Sequence, residues 1–412
     1  ARQEETGMSK KQNQFSRRDF LKTAGAATVG SLLGATETVA KISASSGTGL
    51  AVVPTRPFGQ TGLRVSTLSL GGMFDIPSNQ LMLKQALKWG VTYWDTAASY
   101  EGGRSERGVG KFFAKYPETR KKVFLVTKSG DRDPDGLTRL LNRSLERMKT
   151  DYIDLYFVHG IRRISELDGR TRGWAKKAKA EGKIRFFGFS THSNMEECML
   201  EAAKLGWIDG IMMTYNHRIM NKSKMKEAVA ACTEAAIGLT AMKTQGGWSL
   251  SSSSETEPKL VERFVERGFT DKQAKLKAVW GNPNIASICS QMPNLTILMS
   301  NVAAAMDRTS LSAGELRLLD QYARETASHY CAGCSTICET ALPEAVPVAD
   351  VMRYLMYYES YGDYERAKSL YGKLSPVTRK RLGNIDYSLA ENRCPQGISI
   401  ARAMRKAQKV LT

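Results

Sequence analysis

The chain has 412 residues, 42% of them hydrophobic, which is enough to bury the core of one large domain and a smaller one. Its 60 Lys and Arg outnumber 41 Asp and Glu, so the net charge is +19 at pH 7. The basic residues are scattered and no nucleic-acid-binding motif accompanies them, which argues against a nucleic-acid partner. A solvated basic surface, an anionic substrate, an acidic redox partner and an anionic membrane face remain as explanations.

The first predicted element is an export signal in residues 1–40. Its apolar run, residues 24–40, is too short and too rich in Gly and Thr to span a bilayer. We expect cleavage after Ala40, a linker over residues 41–54, and export to the periplasm with the twin-arginine translocase as a transient partner. The heptad SRRDFLK resembles the twin-arginine signal at every defining position, namely Ser16, Arg17, Arg18, Phe20, Leu21 and Lys22.

Short apolar runs alternate with helical patterns from residue 55 to about residue 304. Eight strands separated by helices are typical of a (β/α)8 TIM barrel, and we predict this α/β fold for residues 55–330. An open doubly wound sheet is the alternative, but no GxGxxG turn opens it. The predicted strands are Ser66–Leu70, Thr92–Asp95, Val123–Thr127, Ile153–Val158, Arg185–Phe189, Gly210–Thr214, Gly238–Ala241 and Ile285–Cys289. The predicted helices include Asn79–Trp89, Leu137–Met148, Met195–Lys204 and Lys222–Ala236.

Three other segments have their own patterns. The segment TRPFGQTGLR, residues 55–64, predicts a hairpin that closes the barrel floor. Residues 244–269 carry a run of serines and predict a long loop after the seventh strand, mobile around those serines. Ser312 and Glu315 form a capping-box pattern in a helix predicted over Ser310–Tyr330. A helical tail rich in Tyr, Lys and Arg follows, so we place a domain boundary where that helix ends.

Four side chains suited to proton transfer follow successive predicted strands. Asp95 and Tyr100 follow the second strand, Lys128 the third and His159 the fourth. Catalytic groups of a barrel lie at the C-terminal ends of its strands, so we expect these four to converge. In a carbonyl reduction Tyr100 would donate a proton to the oxygen, and Lys128 would lower the pKa of that phenol. Asp95 would keep Lys128 charged, and His159 would orient the carbonyl.

These residues lie in motifs that resemble the aldo-keto reductase family. The resemblance covers roughly residues 55–305, and it implies carbonyl–alcohol interconversion with Tyr100 as general acid and base. A subgroup of that family also carries a ferredoxin-like tail. The motifs are LSLGGM (Leu68–Met73), DTAASYEGGRSE (Asp95–Glu106), VTKSG after the third strand, TDYIDLYFVHG (Thr150–Gly160), EGKIRFFGFSTH (Glu181–His192) and MTYN (Met213–Asn216).

The same resemblance implies a nicotinamide cofactor, NADP(H) or NAD(H). Met242 stands where many members have a tyrosine that stacks on the nicotinamide, and the arginine that clasps a 2′-phosphate is missing from the SQMPN segment, residues 290–294. The choice between the two cofactors is therefore open. The residues that the resemblance assigns to the cofactor are Gly72, Met73, Ser190, Thr191, Met212, Met242, Lys243 and Asn301.

The seven cysteines fall into two groups. Cys198, Cys232 and Cys289 lie in barrel elements and are interpreted as core residues. The other four form a CxxCxxxC pattern and a distant Cys-Pro, which is typical of iron–sulfur proteins. Zinc and disulfides are the alternatives. We predict one [4Fe-4S] cluster in a small α-helical ferredoxin-like domain, residues 331–412, with the ligands Cys331, Cys334, Cys338 and Cys394.

Together these patterns predict an exported oxidoreductase acting on a small carbonyl or alcohol substrate, with a nicotinamide or the cluster as electron source. An iron–sulfur electron-transfer module that uses the barrel as a scaffold for an acidic redox partner is the alternative. A ligand-binding barrel without a cofactor is a third possibility. The twin-arginine route carries folded proteins, which suits a chain that receives its cluster before export.

Overall fold

The computed structural model describes residues 52–245 and 254–412. Eight parallel strands close into a barrel in the order β10-β3-β4-β5-β6-β7-β8-β9. All eight predicted strands are confirmed, with ends that shift by up to three residues. The barrel strands are β3 (Leu68–Gly71), β4 (Tyr93–Asp95), β5 (Phe124–Ser129), β6 (Ile153–Ile161), β7 (Ile184–Thr191), β8 (Gly210–Thr214), β9 (Gly238–Met242) and β10 (Ile285–Gln291).

Helices follow the strands and cover the outside of the barrel. The four helices predicted among them are confirmed. Asp133 accepts a hydrogen bond from the Gly136 amide, and Pro134 occupies the first turn, so the third helix begins with a sequence-encoded cap. The helices up to residue 325 are α1 (Gln80–Lys88), α2 (Arg104–Lys115), α3 (Pro134–Met148), α4 (Gly169–Ala180), α5 (Met195–Ala202), α6 (Ser223–Glu234), α7 (Thr256–Glu266), α8 (Asp271–Trp280), α9 (Leu295–Met306) and α10 (Ala313–Glu325).

A hairpin closes the floor of the barrel, as predicted. Its strands β1 (Thr55–Pro57) and β2 (Arg64–Ser66) pair antiparallel. Phe58 is fully buried beneath the barrel, and a Cβ at Gly238 would lie 2.5 Å from its ring. Only glycine therefore leaves room for this aromatic plug, so the open, functional end of the barrel is the opposite one.

The prediction of a loop over residues 244–269 is wrong in part. Helix α7 lies within it, because Leu260 and Phe264 are four residues apart and both bury one face of an amphipathic helix. The run of serines around which mobility was predicted lies largely in residues 246–253, outside the described residues. The predicted capping box is confirmed: Ser312 caps α10, which runs over Ala313–Glu325 rather than to Tyr330.

The chain after residue 330 is helical, as its pattern predicts, and it has a hydrophobic cluster of its own. Val351, Leu355, Tyr371 and Met404 are among its buried members. In the described parts of the chain, no helix has the length and apolar character needed to cross a membrane. The helices here are α11 (Ser335–Cys338), α12 (Val348–Ser360), α13 (Tyr364–Gly372), α14 (Pro376–Arg381), α15 (Ser388–Arg393) and α16 (Ile400–Val410).

Candidate active site

A buried ion pair lies at the C-terminal end of the barrel. Lys128 at the end of β5 donates to both carboxylate oxygens of Asp95 at 2.6 Å and to the Thr96 carbonyl at 2.8 Å. Both side chains are almost completely buried. Burial alone would lower the pKa of Lys128, but Asp95 and Tyr100 raise it above the ordinary value, so Lys128 is an ammonium.

Tyr100 lies directly beside this pair. Its hydroxyl oxygen accepts a hydrogen bond from Lys128 at 3.3 Å, and Lys128 Nζ is 4.8 Å from the centre of its ring. The sequence predicted that Lys128 would lower the pKa of this phenol, and the net result is the opposite. Burial is the largest effect and raises the pKa of Tyr100 to about 12, although Lys128 acts in the expected direction. The phenol is therefore protonated at neutral pH.

His159 follows the buried part of β6 and faces Tyr100. The two ring centres are 5.7 Å apart and the rings meet edge to face. Burial, and then the nearby charges of Lys128, Arg366 and Arg353, keep the pKa of His159 well below its usual value. A neutral imidazole can donate one hydrogen bond to a carbonyl oxygen. The structure thus brings together all four side chains that the sequence places at successive strand ends.

Cys289 in β10 belongs to this site rather than to the general core. Its thiol hydrogen-bonds the Asp95 carboxylate and helps to lower the pKa of that acid, although burial raises it overall. The sequence interpretation of Cys289 as a core residue is therefore incomplete. No local motif marks the contact, because β10 becomes a neighbour of β3 and β4 only when the barrel closes.

The residues assigned to the nicotinamide end of the cofactor lie on the same rim or just below it. Ser190 accepts a hydrogen bond from the Gly160 amide at 3.0 Å, next to His159. Thr191 instead donates to the Ser193 carbonyl within its own turn. Met212 and Met242 are buried in the barrel interior.

Gly72 and Met73 extend the first barrel strand at this end. The Gly72 amide donates to the Asp95 carbonyl at 2.7 Å, and a Cβ on Gly72 would lie 2.7 Å from that oxygen. Gln291 donates to the Met73 carbonyl at 2.6 Å, which joins the first strand to the last one. Gly72 therefore permits the close approach that places Asp95 under the mouth.

A polar network lies farther round the rim, where the adenosine end of a dinucleotide was expected. Asn301 in α9 donates to the Ser290 hydroxyl at 3.0 Å and accepts from Gln245 at 2.9 Å. Ser290 donates to Gln245 at 3.1 Å, which closes the ring of contacts. Ser190 and Asn301 each keep spare hydrogen-bonding capacity, so the rim offers hydroxyl, amide and ammonium groups in the order that a dinucleotide would need.

Two helices of the C-terminal segment, α12 and α13, cover the barrel mouth, and we call them the roof. The Arg366 guanidinium carbon lies 5.6 Å from the centre of the Tyr100 ring. Tyr357 accepts a hydrogen bond from Lys243 at 3.2 Å. At the edge of the mouth, Arg162 after β6 pairs with Asp350 at 3.2 Å. Sequence reasoning missed these roof residues, because they are far from the barrel motifs in the chain.

The cysteine loop docks beside the same rim. Asn194 follows β7, and its amide donates to the Gly333 carbonyl at 2.9 Å. Its side chain donates to the Ser335 hydroxyl at 2.9 Å and accepts from the Thr336 amide at 3.0 Å. A small cavity of about 30 Å³ separates Cys331 from the barrel residues of this rim.

The four C-terminal cysteines lie near one another and none forms a disulfide. Burial raises the pKa of the Cys331 thiol to about 12, and the other three cysteines add to that increase. Helix α11 carries Cys338 and packs against α15, which ends directly before Cys394. Among the described residues, however, no group of three or more His, Cys, Asp or Glu side chains could hold a metal ion.

We expect Gly333→Ala to detach the cysteine loop from the barrel. Gly333 has φ +79°, and a Cβ there would lie 2.2 Å from the His192 carbonyl oxygen. The matched control is Gly362→Ala, because Gly362 has φ +64° but open space around a Cβ. Gly333→Ala should cost about 1–3 kcal/mol more than Gly362→Ala in urea unfolding, since it adds overpacking to the same backbone strain. Equal losses would contradict the tight contact.

Comparisons with known proteins agree with this geometry. Residues 66–312 match the model of the aldo/keto reductase family, and residues 14–34 match that of the twin-arginine translocation pathway signal sequence. An uncharacterized oxidoreductase, YqkF of Bacillus subtilis, is 27% identical over 302 residues, 66% of this chain and 96% of that protein. L-galactose dehydrogenase of Arabidopsis thaliana is 25% identical over 288 residues, 62% of this chain and 89% of that protein.

Solved structures show the same fold. The holo form of an aldo-keto reductase from Bacillus halodurans superposes with a TM-score of 0.56 at 24% identity, over 65% of this chain and 96% of that one. At that level of identity the likeness concerns the fold alone. The matched family segment ends at residue 312, before the roof and the cysteine loop.

Proposed function

Because the chain belongs to the aldo/keto reductase family and is an oxidoreductase of that kind exported by the twin-arginine pathway, we propose that it interconverts a small carbonyl compound and its alcohol, with Tyr100 as the general acid and base. The observation that carries the proposal is the contact of the Tyr100 hydroxyl with Lys128, which Asp95 holds from behind. This places a protonated phenol and a fixed positive charge at the mouth of the barrel.

Each of these groups has a definite task in the proposed reaction. A reduced nicotinamide, when bound, supplies a hydride to the carbonyl carbon. Tyr100 gives its proton to the carbonyl oxygen, and the ammonium of Lys128 stabilises the phenolate that remains. Neutral His159 donates a hydrogen bond to the same oxygen and orients it. Alcohol oxidation uses the same groups in reverse, with Tyr100 accepting the proton.

The rim residues fit NADP(H) or NAD(H) in chemistry. We assign the carboxamide to Ser190, the phosphates to the side of Lys243 and the adenosine end to the network around Asn301. Lys243 stands at φ +58°, a backbone conformation that non-glycine residues adopt mostly at special sites. Thr191 is less suited, since its hydroxyl is engaged within its own turn.

We further propose that Cys331, Cys334, Cys338 and Cys394 hold one [4Fe-4S] cluster in a ferredoxin-like domain. Four free thiols influence one another without forming a site for a single ion. A cluster spreads its thiolates over several irons and therefore tolerates wider spacing than zinc does. When bound, it supplies one-electron transfer. The docking of the cysteine loop on the rim supports the second candidate, an electron-transfer module for an acidic partner.

The test of the proposed function is an assay of the full chain, purified without oxygen. We expect oxidation of NADPH or NADH that depends on an added aldehyde or ketone, followed by the loss of reduced-nicotinamide absorbance. The same protein without a carbonyl substrate is the control. A protein that contains no bound nicotinamide and oxidises neither cofactor with any carbonyl would contradict the reductase proposal.

A further inference from the structure

The roof brings a set of cations to the barrel mouth. Arg353 and Tyr357 lie on α12, and Arg366 lies on α13. The Arg366 guanidinium carbon is 5.3 Å from the centre of the Tyr357 ring and 5.6 Å from that of Tyr100. Lys243 reaches the same place from the barrel, with Nζ 4.6 Å from the Tyr357 ring centre. Three positive side chains therefore surround one phenol above the catalytic tyrosine.

These charges have few compensating partners. Asp350 pairs with Arg353 at 2.8 Å but is shared with Arg162 at 3.2 Å. In residues 52–245 and 254–412, no carboxylate forms an ion pair with Lys243 or Arg366. The Arg366 Nε is buried and has no hydrogen-bond partner there. Excess buried positive charge is costly unless an anion binds to it, so the arrangement suits a ligand that brings a negative group.

The phenol between the cations responds to the same field. Burial would raise the pKa of Tyr357, but Lys243, Arg353 and Arg366 together lower it to about 8. The other titratable groups around this place are three tyrosines and two histidines, and the pKa values of both histidines are held well below normal. These five groups are Tyr330, Tyr354, Tyr361, His159 and His192.

We propose that Lys243, Arg353 and Arg366 form a subsite for the carboxylate of an acidic carbonyl substrate, an aldehyde or ketone that carries a carboxylate elsewhere in the molecule. The proposal rests on the reductase function proposed above and names its substrate class. Arg366 touches Tyr100, so a carboxylate held there belongs to the molecule whose carbonyl faces that tyrosine. A guanidinium binds a carboxylate with two parallel hydrogen bonds, which would also satisfy the buried Nε.

The first test compares two substrates with the same carbonyl. 4-Carboxybenzaldehyde carries the negative group, and methyl 4-formylbenzoate is its neutral ester. We expect the wild-type chain to prefer the acid in kcat/KM, and Arg366→Gln to reduce the ratio of acid to ester by about 10- to 100-fold. The matched control is Arg402→Gln, an exposed arginine on α16. An equal ratio in wild type and Arg366→Gln would overturn the subsite.

The second test measures binding without turnover. We expect terephthalate to bind the wild-type chain in calorimetry, and Arg366→Gln and Lys243→Met to weaken it by at least tenfold. Terephthalate binding in a chain that reduces no carbonyl would support the subsite and contradict the reductase proposal. If both variants instead weaken NADPH binding and leave terephthalate unchanged, the cations serve the phosphates of the cofactor, and the substrate proposal fails.

Discussion

Replacement of Tyr100 by phenylalanine is expected to reduce kcat/KM for carbonyl reduction by about 10²–10⁴-fold. The substitution removes the hydroxyl that Lys128 contacts at 3.3 Å and keeps the ring that faces His159. Because the pKa of Tyr100 is raised to about 12, its proton is present throughout the neutral range, and no described neighbour offers an equivalent one at this place. Steady-state kinetics with a reduced nicotinamide and an aldehyde measure the loss.

Tyr116→Phe is the matched control, since Tyr116 packs on Phe112 outside the mouth. This control should retain activity, and Tyr100→Phe should keep the affinity for the nicotinamide while turnover falls. A Tyr100→Phe chain that transfers electrons to an acidic partner at the wild-type rate and shows no carbonyl reduction in either form would favour the electron-transfer module.

Cys394→Ser is expected to abolish the iron–sulfur cluster. The wild-type chain should contain about four iron and four sulfide per molecule and give an EPR signal after reduction with dithionite. Cys394 follows α15, which packs against the helix that carries Cys338, so its loss removes one ligand from the group. Metal and sulfide analysis of protein purified without oxygen measures the result.

The control for this substitution is Cys232→Ala, in a fully buried cysteine of α6. It should lower stability without changing the iron content. One zinc per chain, lost in Cys394→Ser, would show that the four thiols form a zinc site instead. A wild-type chain that binds neither metal would contradict both, and the C-terminal helices would then rely on their hydrophobic cluster alone.

The two predictions probe parts of the chain with different relations to the family. Tyr100 lies within the matched segment, residues 66–312, whereas Cys394 lies beyond it. The roof connects the two, because Arg366 touches Tyr100 and the same C-terminal segment carries the cysteines. Loss of the cluster can therefore affect the reductase site by displacing the roof, and the kinetics of Cys394→Ser would measure that coupling.

Much of the barrel was predictable because its signals are local. Parallel strands buried on both faces read as apolar runs, as in Ile153–Ile161, and turns and caps separate them from helices. The four polar residues at the mouth were also predictable, since the ends of parallel strands necessarily meet at one rim. The helix Thr256–Glu266 was missed because a serine run precedes it and its apolar face is short.

The pKa of Tyr100 was beyond the reach of sequence reasoning. The neighbouring Lys128 was correctly placed, and its effect has the predicted sign. The magnitude of burial depends on what covers the mouth, and the cover includes Arg366 on a helix more than 260 residues away in the chain. The role of Cys289 beside Asp95 was hidden for the same reason, since only barrel closure makes the last strand a neighbour of the first.

The sequence by itself thus determined the export signal, the eight-stranded barrel and the set of groups at its mouth, because short-range patterns and strand parity specify them. Only the tertiary structure decided how charged that mouth is and what covers it. Burial and electrostatic interaction depend on distances between side chains that folding brings together, and no spacing along the chain encodes the meeting of Lys243, Arg353 and Arg366 around Tyr357.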